Sequence, residues 1–376
     1  MSKWSLKSLD ELGYVSRGRS RHRPRDAEHL YGGPYPFVQT GDVKHAGLYI
    51  TEYSQTYSEE GLAQSKLWEA GTLCITIAAN IADTAILGID ACFPDSIIGF
   101  IPNKKSADTK FIKYLFDALL QKKFKQFTQG AAQDNLSQSK LLSLRFLVPE
   151  SVSEQQRIAD ILSTYDDLIE NNRRRIQLLE ESARLLYREW FVHLRFPGHE
   201  HVKVVDGVPE GWERKTLGEI GFLNYGKALK ADHRIPGSFP VYGSSGIVGT
   251  HQKPLVKGPG IIVGRKGNVG SVFWSTSDFY PIDTVYYIDS ESSNFYLYYC
   301  LKNIQFINTD VAVPGLNRDF AHSREVLYPK EQIKEFFEDL LGQIHQQIAL
   351  LIKQSEALQQ ARDLLLPRLM NGEITV

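Results

Sequence analysis

The residues Ile158, Leu162, Tyr165, Ile169, Asn172, Ile176, Leu179, Ala183, Leu186 and Trp190 follow one another at alternating intervals of four and three. Moved on by 179 positions, the same spacing selects Phe337, Leu341, Ile344, Ile348, Leu351, Ser355, Leu358, Arg362, Leu365 and Leu369. A mainly apolar position every 3.5 residues, sustained this long, is the seam of a helix that packs lengthwise on another helix. Each run is free of proline before Pro367, and Gly342 is the one weak point, at about 1 kcal/mol against alanine. Two matched seams in one chain can satisfy each other. With a long globular segment between them, antiparallel pairing as a coiled coil is the simplest arrangement. Asn172 and Ser355 interrupt the seams: a buried polar residue there either fixes register or leaves the seam slightly wet.

What precedes each seam is also duplicated. Trp4, Leu9, Glu11, Leu12 and Gly13 return as Trp212, Leu217, Glu219, Ile220 and Gly221. Asn80-Ile81-Ala82 returns as Asn268-Val269-Gly270, Phe111 and Tyr114 as Phe295 and Tyr298, and Leu147-Val148-Pro149 as Leu327-Tyr328-Pro329. The order is kept while the offset shrinks from 208 to 180, as in two homologous halves that differ by loop length. Strand-like runs such as Leu73–Ile77 and Gly260–Val263 alternate with Gly/Pro turns, and helices are expected near 109–127 and 294–306. The fold class is therefore α+β: two homologous globular domains and two long helices with a pseudo-two-fold repeat. The expected divisions are 1–150, 151–195 (first helix), 196–330 (linker and second globe) and 331–376 (second helix and tail).

Composition bounds the function. Apolar residues make up 42% of the 376, enough for real cores, and at roughly 150 residues per domain the length suits two or three folded units. Lys and Arg number 43 against 44 Asp and Glu, which excludes a polyanion-coating protein but leaves room for local basic patches. The first and second globes carry net charges of +2 and +1, while both helical segments are net negative. Cys74, Cys92 and Cys300 are scattered, without a CxxC pair, which argues against a disulfide framework or zinc module. The start lacks a signal-peptide core and no run approaches ~20 apolar residues, so a soluble, cytoplasmic protein is expected.

Several short motifs are recognisable together: Glu154-Gln155-Gln156-Arg157-Ile158 entering the first helix, Arg188-Glu189-Trp190-Phe191 closing it, the restart Val208-Pro209-Glu210-Gly211-Trp212, and the ending Leu366-Pro367-Arg368-Leu369-Met370-Asn371-Gly372-Glu373-Ile374. With the order globe, helix, globe, helix, the whole chain resembles the specificity subunit of type I restriction-modification systems. The resemblance implies two target recognition domains, each reading half of a bipartite DNA target, and paired helices that act as a ruler and dock two methyltransferase subunits. It also implies motor-nuclease subunits in the full complex, and no cofactor for this chain: S-adenosylmethionine, ATP and magnesium would belong to the partners. From Ile158 to Trp190 the seam covers about 50 Å at ~1.5 Å per residue, or roughly 14–15 base pairs of duplex.

Within that reading the DNA contacts are sought among basic and amide residues. Arg17, Arg19, Arg21, Arg23 and Arg25 alternate, so an extended stretch would place all five on one side. Guanidinium groups pair bidentately with phosphate or with guanine. The corresponding stretch of the second half contributes Lys227, Lys230 and Arg234. Gly264-Arg265-Lys266-Gly267-Asn268-Val269-Gly270 is either a phosphate-approaching basic turn, through Arg265 and Lys266, or a structural turn. Gln39, Thr40 and Lys44, and Tyr242, Ser244 and Ser245, are expected in polar loops, with Asn317 and Arg318 a further candidate.

Chemistry of other kinds is missing from the sequence. There is no Asn/Asp-Pro-Pro-Tyr/Phe methyltransferase motif and no Gly-x4-Gly-Lys-Ser/Thr nucleotide loop. His199-Glu200-His201 sits beside Pro197-Gly198 without further ligands nearby, so neither a catalytic nor a metal site is expected. The alternative to a specificity subunit is a coiled-coil scaffold whose globes bind proteins.

Overall fold

The computed structural model describes residues 3–78, 81–127, 137–306 and 315–376. They pack as two compact units: Met1–Arg174 with Leu351–Val376 (unit one), and Arg175–Leu350 (unit two). This grouping follows packing and not chain order, because each unit takes part of both long helices into its core.

Unit one opens with strand Trp4–Lys7, one helical turn at Leu9–Leu12 and strand Gly13–Arg17. Trp4–Lys7 pairs antiparallel with Phe146–Pro149. Gly13–Arg17 edges a five-stranded sheet that continues through Ile97–Pro102, Leu73–Thr76, Thr84–Leu87 and Tyr49–Ile50. Leu73–Thr76 and Thr84–Leu87 are buried at every residue, which is why they read as continuous apolar runs without alternation. A second sheet orders Gln55–Tyr57, Tyr31–Phe37, Ala91–Cys92 and Leu67–Trp68. Unit two repeats the opening: strand Glu213–Thr216, a turn at Leu217–Ile220 and strand Asn224–Tyr225. Glu213–Thr216 pairs with Glu325–Tyr328. The main sheet runs Asn224–Tyr225, Val285–Ile288, Gly260–Gly264, Val272–Ser275, and a three-stranded sheet centres on Phe239–Gly243.

The duplicated glutamates have a structural cause. Glu11 accepts hydrogen bonds from Ser8 N (2.8 Å) and Oγ (2.9 Å), and Glu219 from Thr216 N (2.6 Å) and Oγ1 (2.7 Å). Each closes a capping box on its helical turn, and these bonds hold both carboxyls below their ordinary pKa. The helices Thr109–Phe127 and Phe295–Asn303 show the repeat in a slightly different register from the one expected. Their runs of six buried residues, 111–116 and 296–301, match at an offset of 185 in the sequence. Phe111 and Tyr114 thus correspond to Tyr296 and Tyr299, because aromatic neighbours at 295, 296, 298 and 299 make the match by letters ambiguous.

The first long helix spans Val152–Tyr187 and ends in a π turn at Arg188–Val192. The second spans Glu331–Met370 and continues through Pro367. None of the twenty seam positions is exposed. In unit one, Asp166 pairs with Arg362, and Asn172 Nδ2 donates to Ser355 Oγ (3.3 Å) and Gln354 Oε1 (3.3 Å). Rising numbers on one helix meet falling numbers on the other, so these segments run antiparallel, and the two polar interruptions of the seams meet each other. In unit two Tyr187 packs on Phe337 and Trp190 on Phe336, at ring separations of 6.2 and 5.5 Å.

Each long helix also caps a helix of the globe. Gln155, fully buried, accepts from Asp108 N (3.0 Å) and donates to Ser106 O and Pro149 O (3.1 and 2.9 Å). Glu338 accepts from Phe295 N (2.9 Å) and Tyr296 N (2.7 Å), satisfying donors that a helix N-terminus leaves open. At the other end of the sequence, Leu369 and Met370 join the core that contains Leu9, Phe100, Phe111 and Phe116.

Leu369→Ala is therefore expected to destabilise unit one by about 2–5 kcal/mol, measured by denaturant unfolding, although it lies more than 200 residues from most of that core. In unit two, burial, with Lys302 adding, pushes His345 down to about 4 from its ordinary 6.5. As pH falls through this window the unfolded chain takes up a proton that the folded unit refuses. Stability should be complete above about pH 6.5 and decline toward pH 4 by up to ~1.4 kcal/mol per pH unit, with a shallower decline in His345→Gln.

Candidate nucleic-acid interface

The arginine row of unit one begins inside the sheet and leaves it. Arg17 pairs with Ile98 at the end of its strand, and Gly18 N and Arg19 N then donate to Ile97 O (2.8 Å) and Phe93 O (2.9 Å). A Cβ on Gly18 would lie 2.3 Å from Phe93 O, so only glycine allows this approach. Ser65 Oγ donates to Arg19 O (2.8 Å), and Gln64 Oε1 accepts from Arg21 N (2.5 Å) and His22 N (3.0 Å). Pinned in this way, the stretch alternates as expected: Arg17, Arg19, Arg21 and Arg23 are exposed, Gly18 and Ser20 buried, and His22 half-buried. The turn at 23–26 ends the alternation, so Arg25, also exposed, owes its place to that turn and to Asp95.

The five guanidinium groups are not equivalent. Arg17 Nε donates to Asp95 O (2.8 Å), and Arg25 donates to both Asp95 carboxylate oxygens (3.0 Å each). Arg23 folds onto Ser20 O (2.9 Å) and His22 O (2.7 Å). Those of Arg19 and Arg21 make no hydrogen bond or ion pair among the described residues. Beside them Lys66 Nζ lies 3.6 Å from the Trp68 ring and 4.9 Å from that of Tyr14, whose hydroxyl faces solvent with a lowered pKa owing first to Ser16. Gln39 caps the helix Thr40–His45, with its Nε2 donating to Gln55 Oε1 (2.6 Å). Lys44, on that helix, borders a cavity of about 550 Å³ lined also by Lys113, Asp117, Asp166 and Arg362.

In unit two the structure gathers residues from three separate stretches. Tyr225, 50% exposed, pairs in the sheet with Tyr286. Its ring lies 5.0 Å from the Arg265 guanidinium and 4.9 Å from that of Arg318, which also lies 5.2 Å from Phe222. Arg265 NH1 donates to Asp283 O (3.2 Å), and burial pushes Tyr286 up to about 12. Lys266 is exposed next to this cluster, its N bonded to Thr284 O (3.1 Å). Gly267 and Gly270 take positive φ (78° and 75°) and close the turn. The hairpin tip Ser244–Ser245 docks onto that turn: Ser271 Oγ donates to Ser244 O (2.6 Å) and Asn268 Nδ2 to Ser245 Oγ (3.1 Å). Lys227 is exposed just past Tyr225, and its N donates to Pro281 O (3.0 Å). Burial, reinforced by Arg318, depresses His322, which accepts from Leu223 N (3.0 Å).

Other expectations change. Gln39, Thr40 and Lys44 do not lie in a polar loop: Gln39 caps the helix Thr40–His45, which contains the other two. Tyr242 does not lie in a polar loop: it sits in strand Phe239–Gly243, 6% exposed and packed on Phe279 and Phe273, because the turn begins only at Ser244. Buried between two neighbouring strands, it has no route to a base edge. Arg234 is half-buried and clamps its own loop, with NH1 donating to Val248 O (2.7 Å) and NH2 to Leu229 O (3.4 Å), while Lys230 stays exposed. Tyr225, Phe222 and Asn268 join the candidate surface although none was singled out as a contact. Their signal, an aromatic or amide beside a basic residue, is too common in sequence to stand out. Ala79 and Asn80, the counterpart of the 264–270 turn, lie outside the described residues, as does Pro314 next to Gly315. Among the described residues there is no group of three or more His, Cys, Asp or Glu that could hold a metal ion. No helix among them is long and apolar enough to cross a membrane.

Comparison with known proteins gives a consistent result. The family model "Type I restriction modification DNA specificity domain" matches twice, at residues 1–181 and 209–354. The chain is similar to the MjaIX type I restriction enzyme specificity subunit of Methanocaldococcus jannaschii, with 25% identity over 99% of this chain and 94% of that one. It is 29% identical to a putative type I specificity subunit of Mycoplasma pneumoniae, over 73% of this chain and 69% of that one. The crystal structure of the type I restriction-modification S subunit from M. genitalium shares the fold, with a TM-score of 0.59, 19% identity, and coverage of 98% of this chain and 96% of that one. Two family domains in tandem, each with its own exposed basic surface, place this chain in the type I restriction-modification DNA specificity family.

Proposed function

We propose that this chain is the DNA-reading subunit of a type I restriction-modification complex and carries no catalytic site itself. Each globular unit reads one half of a bipartite target. The long helices pair as a coiled coil, set the spacer and dock two methyltransferase subunits, with motor-nuclease subunits completing the restriction complex in the cytoplasm. S-adenosylmethionine, ATP and magnesium act in those partners. The observation that carries this reading is the duplicated family domain, in which each copy holds basic side chains next to its main sheet. In unit one these are Arg19, Arg21 and Lys66. In unit two they are Arg265, Lys266 and Arg318 around Tyr225, with Lys227 next in the chain. Such groups neutralise phosphates and, in bidentate geometry, read guanine, while Asn268 has the amide that pairs with adenine.

Removing Arg19 and Arg21 together is expected to weaken duplex binding and to lower the slope of log K against log salt by about one to two, near 0.9 per phosphate contact. Arg23→Ala should leave the slope unchanged, because that guanidinium is spent on its own loop. Equal slopes for all variants would remove the arm from the interface. Modified-base mapping tests the function itself, in a methylation-free host expressing a cognate methyltransferase subunit with and without this chain. A bipartite methylated-adenine motif that appears only with this chain is the expected result. No motif, with both proteins soluble and associated, would favour a scaffold.

A further inference from the structure

One carboxylate in unit one joins three elements. Asp166, on the first long helix, is 9% exposed. Its Oδ2 accepts from the Tyr114 hydroxyl of the globe helix at 2.5 Å, and its Oδ1 from Arg362 NH1 of the second long helix. Arg362 is steadied in turn by Asp363, whose Oδ1 accepts from Nε (3.0 Å) and NH2 (2.8 Å). Six residues along, Asn172 bridges the same two helices through Ser355 and Gln354.

These polar contacts contain information that the apolar seam lacks. The seam repeats every seven residues, so along the paired segments a slide of one heptad, ~10 Å at ~1.5 Å per residue, sets leucines and isoleucines against equivalent positions again, and of the apolar contacts only Leu369 and Met370 in the globe core oppose it. The polar pairs do not survive it. Arg362 would face Ala159 or Arg173 in place of Asp166, and Asn172 would face Ile348 or Arg362 in place of Ser355. Either slide leaves the buried Asp166 facing Ser355 or Leu369, without its opposite charge. The matching positions of the other half make the contrast. There the Tyr299 hydroxyl lies 3.0 Å from His345 Nε2, and the position equivalent to Arg362 is the buried Ala183. The tyrosine contact is duplicated, but with Ala183 in place of Arg362 the joint of unit two has no such ion pair among the described residues.

We propose that Asp166, held between Tyr114 and Arg362, is a positioning residue that fixes the register of the first long helix on the second and seats the first recognition unit on that register, so that one spacer length is accepted between half-sites. The inference rests on the DNA-reading function above. Its test is the same methylation mapping, applied first to the wild-type chain and then to Tyr114→Phe/Asp166→Leu/Arg362→Met, which replaces all three polar partners by apolar groups of similar size. Such replacements tend to preserve stability. The expected result is an unchanged pair of half-site sequences with methylation spread over spacers that differ by up to about three base pairs, the reach of a one-heptad slide at ~3.4 Å per base pair. The reversed pair Asp166→Arg/Arg362→Asp should return to the wild-type spacer, and remains informative if the apolar variant fails to fold. A single unchanged spacer in the folded apolar variant, or a broadened one in the reversed pair, overturns the proposal. Absence of any bipartite motif with the wild-type chain would instead refute the DNA-reading function on which it rests.

Discussion

Both compact units depend on burying the seams of two long helices that lie 179 residues apart in the chain. A lone amphipathic helix of this length would expose a continuous apolar stripe, and each globe alone would lack part of its core. In unit one Ile158, Ala159 and Leu162 from one helix and Leu369 and Met370 from the other close over Phe111 and Phe116. In unit two Ala183, Tyr187 and Trp190 meet Phe337 and Leu341 beside Tyr296 and Leu301. Helix pairing and the globe core therefore share the same buried residues within each unit, and Leu369 and Met370 are as much a part of the first unit as Leu9 is.

Around that apolar frame, several polar groups serve to orient one element on another. Gln155 and Glu338 each cap a globe helix from a long helix, and Asp166 and His345 each meet a tyrosine from the same globe helices. The two joints obey one geometry but differ in charge, so the units are alike in fold and unlike in how tightly their helix register is specified. The candidate DNA surfaces differ in the same manner. One is a row of alternating arginines pinned by backbone bonds, the other a tyrosine ring with two guanidinium groups within 5.0 Å of it. Two copies of a scaffold that read different sequences are expected to diverge in this way, since the sheet sets the position of the edge and the side chains set what it reads.

Much of this was legible from spacing. Helical periodicity is imposed by backbone geometry, so the seams could be read directly, while the duplicated motif around Glu11 and Glu219 and the apolar runs marked two strand-rich globes. The alternation of Arg17 to Arg23 was legible for the same reason. Tyr242 was misread because a strand end and a loop share the letters Tyr-Gly-Ser-Ser, and the hairpin turn begins two residues later than composition implied.

The sequence by itself determined that there are two α+β halves, two long helices of matched period, and an arm whose arginines alternate from Arg17 to Arg23, because each of these follows from local repetition along the chain. Only the tertiary structure decided which arginines stay available, that Arg265 and Arg318 both reach the Tyr225 ring, and that Asp166 meets Arg362 and Tyr114. Those facts depend on which distant residues arrive at the same place. Asp95, Asp283 and Arg362 reach their partners across 70, 18 and 196 residues, and no local pattern specifies a hydrogen bond across such a separation.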